Sequence, residues 1–421
     1  MVEPTPRLHY GWIVLLMGVL VVFASLGLAR FGYSMVLPAM QLGLGMDNTA
    51  GGVLATANLI GYLLLSALGG ALASHFGPRR VIAAGLAIAA VGMVLTGLSN
   101  SNAEAALWRA VTGIGSGASN VPVMGLVAGW FALRRRGLAA GLTASGSSVA
   151  LIVLGATVPA VLSAYAEQGW RACWLFFGGA TLVLALMAYA ILRNRPADAG
   201  LRPVGAERQA PCCAAPPPAP LVPRPLGWAD VYRSRAIWAL GLVYVAFGFS
   251  YIIYMTFFVK ALMAEGGYSQ QAAGSLFMTM GWCSLLCGVI WGAVSDAIGR
   301  KWALVVVYLI QATSYTLFGL LPTVAGFTIS AVLFGLTAWS IPAIMAAACG
   351  DMLGPRLAPA ALGFVTLFFG VGQAAGPAVH GLIADATGSH LPGMLLAAAV
   401  AALGALGAGL LRPVVVSAEE A

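Results

Sequence analysis

Twelve apolar runs of about 20 residues dominate this sequence, and they fall into two sets of six. A bilayer core about 30 Å thick is crossed by about 20 apolar residues of α-helix. The alternating segments of about ten residues that indicate a membrane β-barrel are absent from the sequence. We therefore predict an all-α integral membrane protein with twelve transmembrane helices in two pseudo-symmetric halves. The runs lie near residues 11–37, 50–73, 80–99, 104–131, 138–163, 171–192, 236–260, 272–295, 302–322, 325–350, 360–384 and 391–411.

Composition agrees with lipid as the solvent of this chain. Of its 421 residues, 60% are hydrophobic and 8% are charged, whereas soluble domains carry roughly 25% charged residues. A stretch rich in proline and arginine separates the two sets of runs. We predict an N-terminal six-helix bundle at 1–192, a cytoplasmic linker at 193–235 that forms an extended tether, and a C-terminal six-helix bundle at 236–421.

Two short stretches indicate that the halves are duplicates. Gly70–Arg80 and Gly292–Lys301 each follow an apolar run and end in paired cations, and they begin 222 positions apart. Asn120-Val121-Pro122 in the fourth span corresponds to Ser340-Ile341-Pro342 in the tenth. Duplicated membrane bundles are typical of transporters, whose solute site lies near the membrane midplane between the repeats.

The distribution of cations predicts the orientation. With the N-terminus in the cytoplasm, 17 of the 21 lysines and arginines lie in cytoplasmic segments, which is a strong positive-inside signal. We therefore expect a multi-pass protein of the inner (plasma) membrane with both termini cytoplasmic. The net charge of +8 then indicates contact with anionic lipid. Nucleic acid is not an expected partner, because the basic residues are spread over short loops.

The paired stretches resemble the loop motif of the major facilitator superfamily, in which an aspartate stands between two glycines ahead of basic residues. Arg109–Gly115 is similar to the second motif of that superfamily, an arginine followed by spaced glycines. The resemblance covers the whole chain and implies the major facilitator fold. The first copy departs from the pattern, since Ser74 stands where the second copy has Asp296. No zinc-type cluster, nucleotide-binding loop or catalytic triad is visible, so we expect no enzyme, no cofactor and no metal.

Other segments point to a subgroup. His9–Val14, Gly169–Arg171 and Arg195–Pro203 resemble monocarboxylate and oxalate/formate-type transporters. Leu28–Tyr33 also resembles a group of bacterial facilitators whose substrates are largely undefined. The fifth span, at Gly146–Gly155, lacks the glycine–proline motif that is usual in drug–proton antiporters, which argues against drug efflux.

Charged residues inside a span are costly, so each is a candidate for function. Arg30 lies in the outer part of the first span, roughly 28 Å from its start, with Tyr33 on the same helix face at i+3. It either clamps a carboxylate through two parallel hydrogen bonds or snorkels to the outer headgroups. Arg109 lies near the start of the fourth span. It either assists proton coupling or gating, as the resemblance implies, or snorkels as well.

Neutral side chains on other spans complete the predicted solute site, with helix–helix contact as the alternative for each. Together with Arg30 and Tyr33 they are Asn58, Tyr62, Asn120, Tyr251, Tyr254 and Gln373. The residues predicted to couple or gate are Arg109, Asp296, Arg300 and His380. Asp296 would act as a latch that accepts hydrogen bonds from the N-terminus of a neighbouring helix. Arg300 and Lys301 would pair with this carboxylate or with lipid phosphate, or would only set the topology. His380 has a charge that can change near neutral pH.

These observations predict a secondary active transporter that moves a small organic anion across the cytoplasmic membrane by alternating access. A monocarboxylate is the leading solute, and organic cations are disfavoured because no carboxylate lies in the middle of a span. Efflux of hydrophobic or amphipathic compounds is the alternative mode of transport. A non-transporting membrane sensor is the alternative of another class. The expected partners of a monomeric protein are a small-molecule solute, protons and membrane lipid.

Overall fold

The structure, a computed structural model, describes residues 9–132, 135–206 and 228–411. Helices make up nearly all of this part of the chain. The membrane helices are α1 (Tyr10–Leu44), α2 (Asn48–Phe76), α3 (Pro78–Leu98), α4 (Asn102–Trp130), α5 (Arg136–Ala144 and Gly146–Tyr165), α6 (Gly169–Ile191), α7 (Arg235–Gly266), α8 (Gln270–Ser284 and Cys287–Ile298), α9 (Arg300–Leu320), α10 (Val324–Leu353), α11 (Ala360–Thr387) and α12 (Leu391–Leu410).

Helix length establishes that these are twelve spans. Ten helices of the described residues are long and apolar enough to cross a membrane, and the two pieces of α8, bent by 43°, add an eleventh. One of these ten helices, Arg136–Ile191, has 56 residues. It would be roughly 84 Å long if it were straight. Because a bilayer core is about 30 Å thick, this stretch holds two spans, divided by the short turn Ala166–Gln168.

The boundary between α10 and α11 is a sharp bend in helical backbone. The helical assignment runs without a break from Ser340 to Thr387. An ideal Cβ on Gly350 would nevertheless lie 3.9 Å from the Cβ of Ala358, whereas eight residues of a straight helix cover about 12 Å. The chain therefore turns back here, and the predicted twelve-helix membrane fold is confirmed.

The two halves repeat the same packing. α3 lies against α4 and α6, and α9 lies in the same way against α10 and α12. The two loop copies also share a backbone shape, since Gly77 has a φ of 85° and Gly299 a φ of 86°. Only glycine adopts this region freely, so the glycine before each pair of cations is required by the turn itself.

The halves face each other through three pairs of helices: α1 with α7, α2 with α11, and α5 with α8. At the α5–α8 crossing, an ideal Cβ on Gly274 would lie 2.6 Å from the carbonyl oxygen of Gly155, so no side chain fits there. We call the face where α1 begins and α12 ends the terminal face. The other face, which holds the α1–α2 and α11–α12 turns, we call the opposite face.

Part of α1 is not an α-helix. Residues Phe23–Phe31 form a π-helix, whose i→i+5 hydrogen bonds are rare and often lie at functional sites. Each wider turn rotates the residues after it about the helix axis. They then point in other directions than a spacing of 3.6 residues per turn would give. Arg30 lies near the end of this segment, so its neighbours differ from those that α-helical spacing predicts.

The start of the predicted linker packs against the N-terminal half. The N–H of Val204, a buried residue, donates to the carbonyl of Trp130 at 2.8 Å, and the Trp130 indole donates to the carbonyl of Arg193 at 3.1 Å. Residues 193–206 are therefore folded rather than an extended tether, because they pair with the backbone that follows α4. Residues 207–227, with most of the linker prolines, lie outside the described residues.

Candidate functional site

Five of the predicted solute-site residues meet where the two halves face each other. The Nη1 of Arg30 donates to the hydroxyl oxygen of Tyr251 at 3.4 Å, and its guanidinium carbon lies 4.4 Å from the ring centroid of Tyr62. Arg30 therefore points between the halves and does not snorkel to the headgroups. We call this group the central cluster; it consists of Arg30 on α1, Tyr62 on α2, Asn120 on α4, Tyr251 on α7 and Gln373 on α11.

Two carboxamides flank the arginine. The Asn120 amide nitrogen donates to the Tyr62 hydroxyl at 2.9 Å, and the Gln373 amide nitrogen donates to the Tyr251 hydroxyl. Three buried atoms of the cluster have no protein partner: Nη2 of Arg30, Oδ1 of Asn120 and Oε1 of Gln373. Buried polar atoms are rarely left unpaired in folded proteins, so three of them in one cluster indicate a binding site.

The charge of Arg30 is not neutralised by the protein. Among the described residues, the ion pairs within 4.0 Å all involve Arg300, which pairs with Asp296 and Asp351. Arg30 is partly buried and its Nη2 atom is fully so, and a charge taken out of water without a counter-ion is costly. Binding of an anion would remove this cost, so the cluster favours an anionic ligand.

Arg109 supplies a second buried cation. Its side chain is 1% exposed, and Nη1 donates to the carbonyl of Ala29 at 2.6 Å. The guanidinium lies 4.7 Å from the Tyr33 ring and 4.9 Å from the Trp174 ring. The alternative that Arg109 snorkels is therefore wrong. Arg109 holds the backbone of α1 at the residue before Arg30 and adds positive potential near the central cluster.

Three predicted residues lie outside the central cluster. The Tyr33 hydroxyl donates to the carbonyl of Gly51 at 2.7 Å, and the Tyr33 ring faces Arg109 rather than Arg30, because the π-helix breaks the i+3 relation. The Asn58 amide donates to the carbonyl of Arg109 at 3.1 Å. The Tyr254 hydroxyl pairs with the Ser330 hydroxyl at 2.7 Å. All three make helix–helix contacts inside one half.

Aromatic rings line the C-terminal side of the cluster. The Phe247 and Tyr251 centroids are 4.7 Å apart at an interplanar angle of 15°, and Tyr244 stacks on Phe369 at 4.6 Å and 19°. Tyr251 is among the site residues that the sequence predicts, but Phe369 on α11 is not. The adjacent pair Phe368-Phe369 in a span rich in alanine and glycine was the available signal.

The two loop copies differ as their sequences predict. Arg300 pairs with Asp296 and donates from Nε to Asp351 at 2.9 Å, which joins α8, α9 and α10. Asp296 thus binds a side chain and not a helix N-terminus. In the first copy, the Ser74 hydroxyl donates to the carbonyl of Ala71 in its own helix at 2.7 Å.

His380 is paired with a second histidine. The side chain of His380 is fully buried, its Nε2 lies 3.1 Å from the Nδ1 of His390, and its ring stacks on Phe257 at 4.2 Å. The sequence reasoning missed His390. Its place in the short turn between α11 and α12 was the signal, because such a turn brings His390 close to the end of α11, where His380 lies.

Trp339 was also missed. Its indole donates to the Ser148 hydroxyl at 2.9 Å, across the interface between α10 and α5, and its ring lies 5.4 Å from that of Phe31. Trp339 stands at a break in α10, just before Ser340. Pro342, three residues after Trp339, was the signal for such a break.

Two six-helix halves with a polar cluster between them define the class of membrane transporters that are built from a duplicated bundle. The family model of the Major Facilitator Superfamily matches residues 19–265, and a model described as uncharacterised MFS-type transporter YbfB matches residues 225–408. The chain belongs to the Major Facilitator Superfamily, and it is a transporter rather than an enzyme.

Similar proteins agree with this family. The chain is 25% identical to the probable sulfoacetate transporter SauU of Cupriavidus necator, over 91% of this chain and 90% of that protein. It is 27% identical to monocarboxylate transporter 11 of Homo sapiens, over 79% of this chain and 68% of that protein. In fold, it matches a bacterial homologue of the human lysosomal transporter Spinster with a TM-score of 0.76 at 16% identity, over 97% of this chain and 98% of that one.

Proposed function

We propose that this protein is a secondary active transporter that moves a small organic anion, in the first place a monocarboxylate, across the inner membrane by alternating access. The observation that supports this best is Arg30. Its Nη2 is buried without a partner between the two halves, where a planar guanidinium can bind a carboxylate through parallel hydrogen bonds.

The names of the relatives support an acidic solute. Sulfoacetate and the monocarboxylates both carry a carboxylate group, and the proteins named for them match most of this chain. A central arginine is suited to that shared group, while the differing remainder of each solute would contact other residues. The carboxylate is therefore the part of the solute that we assign to Arg30.

Access to the cluster would come from the terminal face. The recorded hydrogen bonds between the halves lie near the middle of the helices, as with Arg30 to Tyr251 and Trp339 to Ser148, or toward the opposite face, as with Thr56 to Ala374 and Gln270 to Met35. With the terminal face in the cytoplasm, as the cation distribution favours, Arg30 is reached from inside. We propose protons as the coupling ion, with His380 as the candidate carrier.

Efflux of hydrophobic compounds is a second candidate, favoured by the aromatic stack around Phe247 and Phe369. The partly buried Arg30 and the buried Arg109 count against it. Neither has a carboxylate partner among the described residues, so an uncharged solute leaves their charge unbalanced. The two candidates differ in one measurement. A hydrophobic dye that is transported without competition from lactate would support efflux.

The experiment is uptake of labelled lactate by the purified protein in liposomes with an imposed pH gradient, together with lactate binding by calorimetry in detergent. We expect saturable uptake and binding. Arg30→Gln should weaken binding about 100-fold, because one partner of a buried charged pair is lost. Arg30→Lys should restore part of the binding, since it keeps the charge but not the planar fork.

Arg171→Gln is the matched control. Arg171 lies at the start of α6, where Nη1 donates to the carbonyl of Gly97 at 2.8 Å and the guanidinium lies over Trp170. It resembles Arg30 in chemistry but lies away from the central cluster, so its loss should leave lactate binding unchanged. The absence of binding and uptake for every small acid tested would refute the proposed solute class.

A further inference from the structure

Gln373 is the most deeply buried amide of the central cluster. Its side chain is fully buried, and its Oε1 has no hydrogen-bond partner within the part of the chain that the structure describes. The backbone around it is fixed, because an ideal Cβ on Gly248 would lie 3.2 Å from the backbone nitrogen of Gln373. α7 and α11 are thus in backbone contact, and they hold this amide in one place.

The neighbouring hydroxyl sets the direction of the amide. The Tyr251 oxygen accepts from Arg30 and from the Gln373 amide nitrogen, which uses both of its lone pairs. The amide oxygen of Gln373 is then a buried acceptor without a hydrogen-bond partner among the described residues. Leaving a buried acceptor unpaired is costly, so a ligand that supplies a donor binds more tightly than one that does not.

The charges around the cluster decide which donor fits. An ammonium group would bring a third positive charge close to Arg30 and Arg109, neither of which has a carboxylate partner within 4.0 Å among the described residues. A hydroxyl group donates a hydrogen bond without adding charge. The acceptor on Gln373 therefore favours a hydroxyl on a solute whose other end is anionic.

We propose that the solute carries a hydroxyl group beside its carboxylate, and that Gln373 is the residue that recognises this hydroxyl. The inference rests on the proposed function, in which Arg30 binds the carboxylate. Arg30 belongs to the N-terminal half and Gln373 to the C-terminal half, and both contact Tyr251. A hydroxy acid therefore bridges the halves, whereas a simple acid contacts mainly one of them. Only a ligand that distinguishes two conformations can shift their populations.

The test compares matched acids by calorimetry with the purified protein. The pairs are glycolate with acetate and lactate with propionate, and glyoxylate and pyruvate replace the hydroxyl by a carbonyl. We expect each hydroxy acid to bind about tenfold more tightly than both of its analogues. In Gln373→Leu, the hydroxy acid and the simple acid of each pair should bind with equal affinity.

Asn120→Leu is the matched amide control. Asn120 is only partly buried and lies on the N-terminal side of the cluster, so its loss should change hydroxy and simple acids equally. Equal affinities within each wild-type pair, or tighter binding of the oxo acids, would overturn the inference while leaving anion transport intact. Loss of binding for all six acids would instead refute the proposed function. The wild-type comparison stands even where a variant fails to fold.

Discussion

The interface between the halves has two unlike ends. At the opposite face, Asp385 of α11 accepts from the backbone N–H of Asn48 and Thr49 at 3.0 and 2.7 Å, and from the Thr49 hydroxyl. At the terminal face, the described residues show no hydrogen bond or ion pair between the halves. Their charged side chains there bind within one half, as Arg79 does to the carbonyl of Tyr189 at 2.6 Å.

The difference shows that a duplicated chain need not have two equal ends at its interface. At the opposite face a carboxylate lies at a helix N-terminus, where the helix dipole favours an anion. At the terminal face the two loop copies are bound to their own halves through Arg79 and Arg300. On the proposed function, the opposite face is the closed end of the interface and the terminal face is its open end.

Asp385→Ala should have the largest effect on this asymmetry. The variant removes the carboxylate that caps α2 from the other half, and loss of a capping side chain costs about 1 kcal/mol. We expect the fraction of molecules that are open at the opposite face to be about fivefold larger than in the wild type. Spin labels at Leu42 and Gln271, both on the opposite-face ends of their helices, would report the distance once the six native cysteines are replaced.

Asp47→Ala is the control for Asp385→Ala. Asp47 also caps α2, at Ala50 with a distance of 2.7 Å, but it belongs to the same half. Its loss should lower thermal stability without widening the gap between the labels. A similar widening in both variants would show that any weakening of the α2 N-terminus opens this end, and that the contact between the halves is not the cause.

Acid pH should weaken the C-terminal half through His390. Burial and the charge of Lys260 lower the pKa of His390 to about 4, from about 6.5 in an unfolded chain. Glu265 and Asp385 also face it and raise the pKa, and His380 packs against it. Because the folded protein holds the ring neutral, the stability of this half is fully present above about pH 6.5 and falls as the pH drops toward 4.

The measurement is the thermal stability of the purified protein between pH 7 and pH 4. We expect the melting temperature to fall in the wild type and to fall less in His390→Gln. The variant keeps Glu265 and Asp385, so the difference between the two curves isolates the histidine from the carboxylates. Superimposable curves would assign the pH dependence to the carboxylates alone.

The two loop copies allow a sharper comparison at the open end. Asp296 contributes to a network with Arg300 and Asp351, while Ser74 bonds only within its own helix. Asp296→Asn should therefore slow lactate uptake severalfold, and Ser74→Ala should change it by less than about twofold, since a partly exposed charged network is worth about 1 kcal/mol. Equal effects of the two variants on the uptake rate would contradict the hypothesis that only the second loop copy, with Asp296, acts as a latch.

Sequence patterns predict the spans well because each must be about 20 apolar residues long, and they predict Arg30 because a charge inside a span is costly. They fail where rotation about a helix axis decides the outcome. Tyr33 was placed beside Arg30 on α-helical spacing, but the π-helix at Phe23–Phe31 turns it toward Arg109. The burial of Arg109 and its bond to Ala29 depend on contacts between distant parts of the chain. No local pattern contains them.

The smallest expected effect concerns a neutral bond near the middle of the interface. The Thr56 hydroxyl of α2 donates to the carbonyl of Ala374 on α11 at 2.8 Å, in a half-buried position. Thr56→Val keeps the shape and removes the bond. Bonds of this kind in membranes average about 0.6 kcal/mol, so the open fraction at the opposite face should rise about threefold or less. A change as large as that of Asp385→Ala would mean that α2 and α11 separate as one unit, and that the carboxylate has no special place in the closed end.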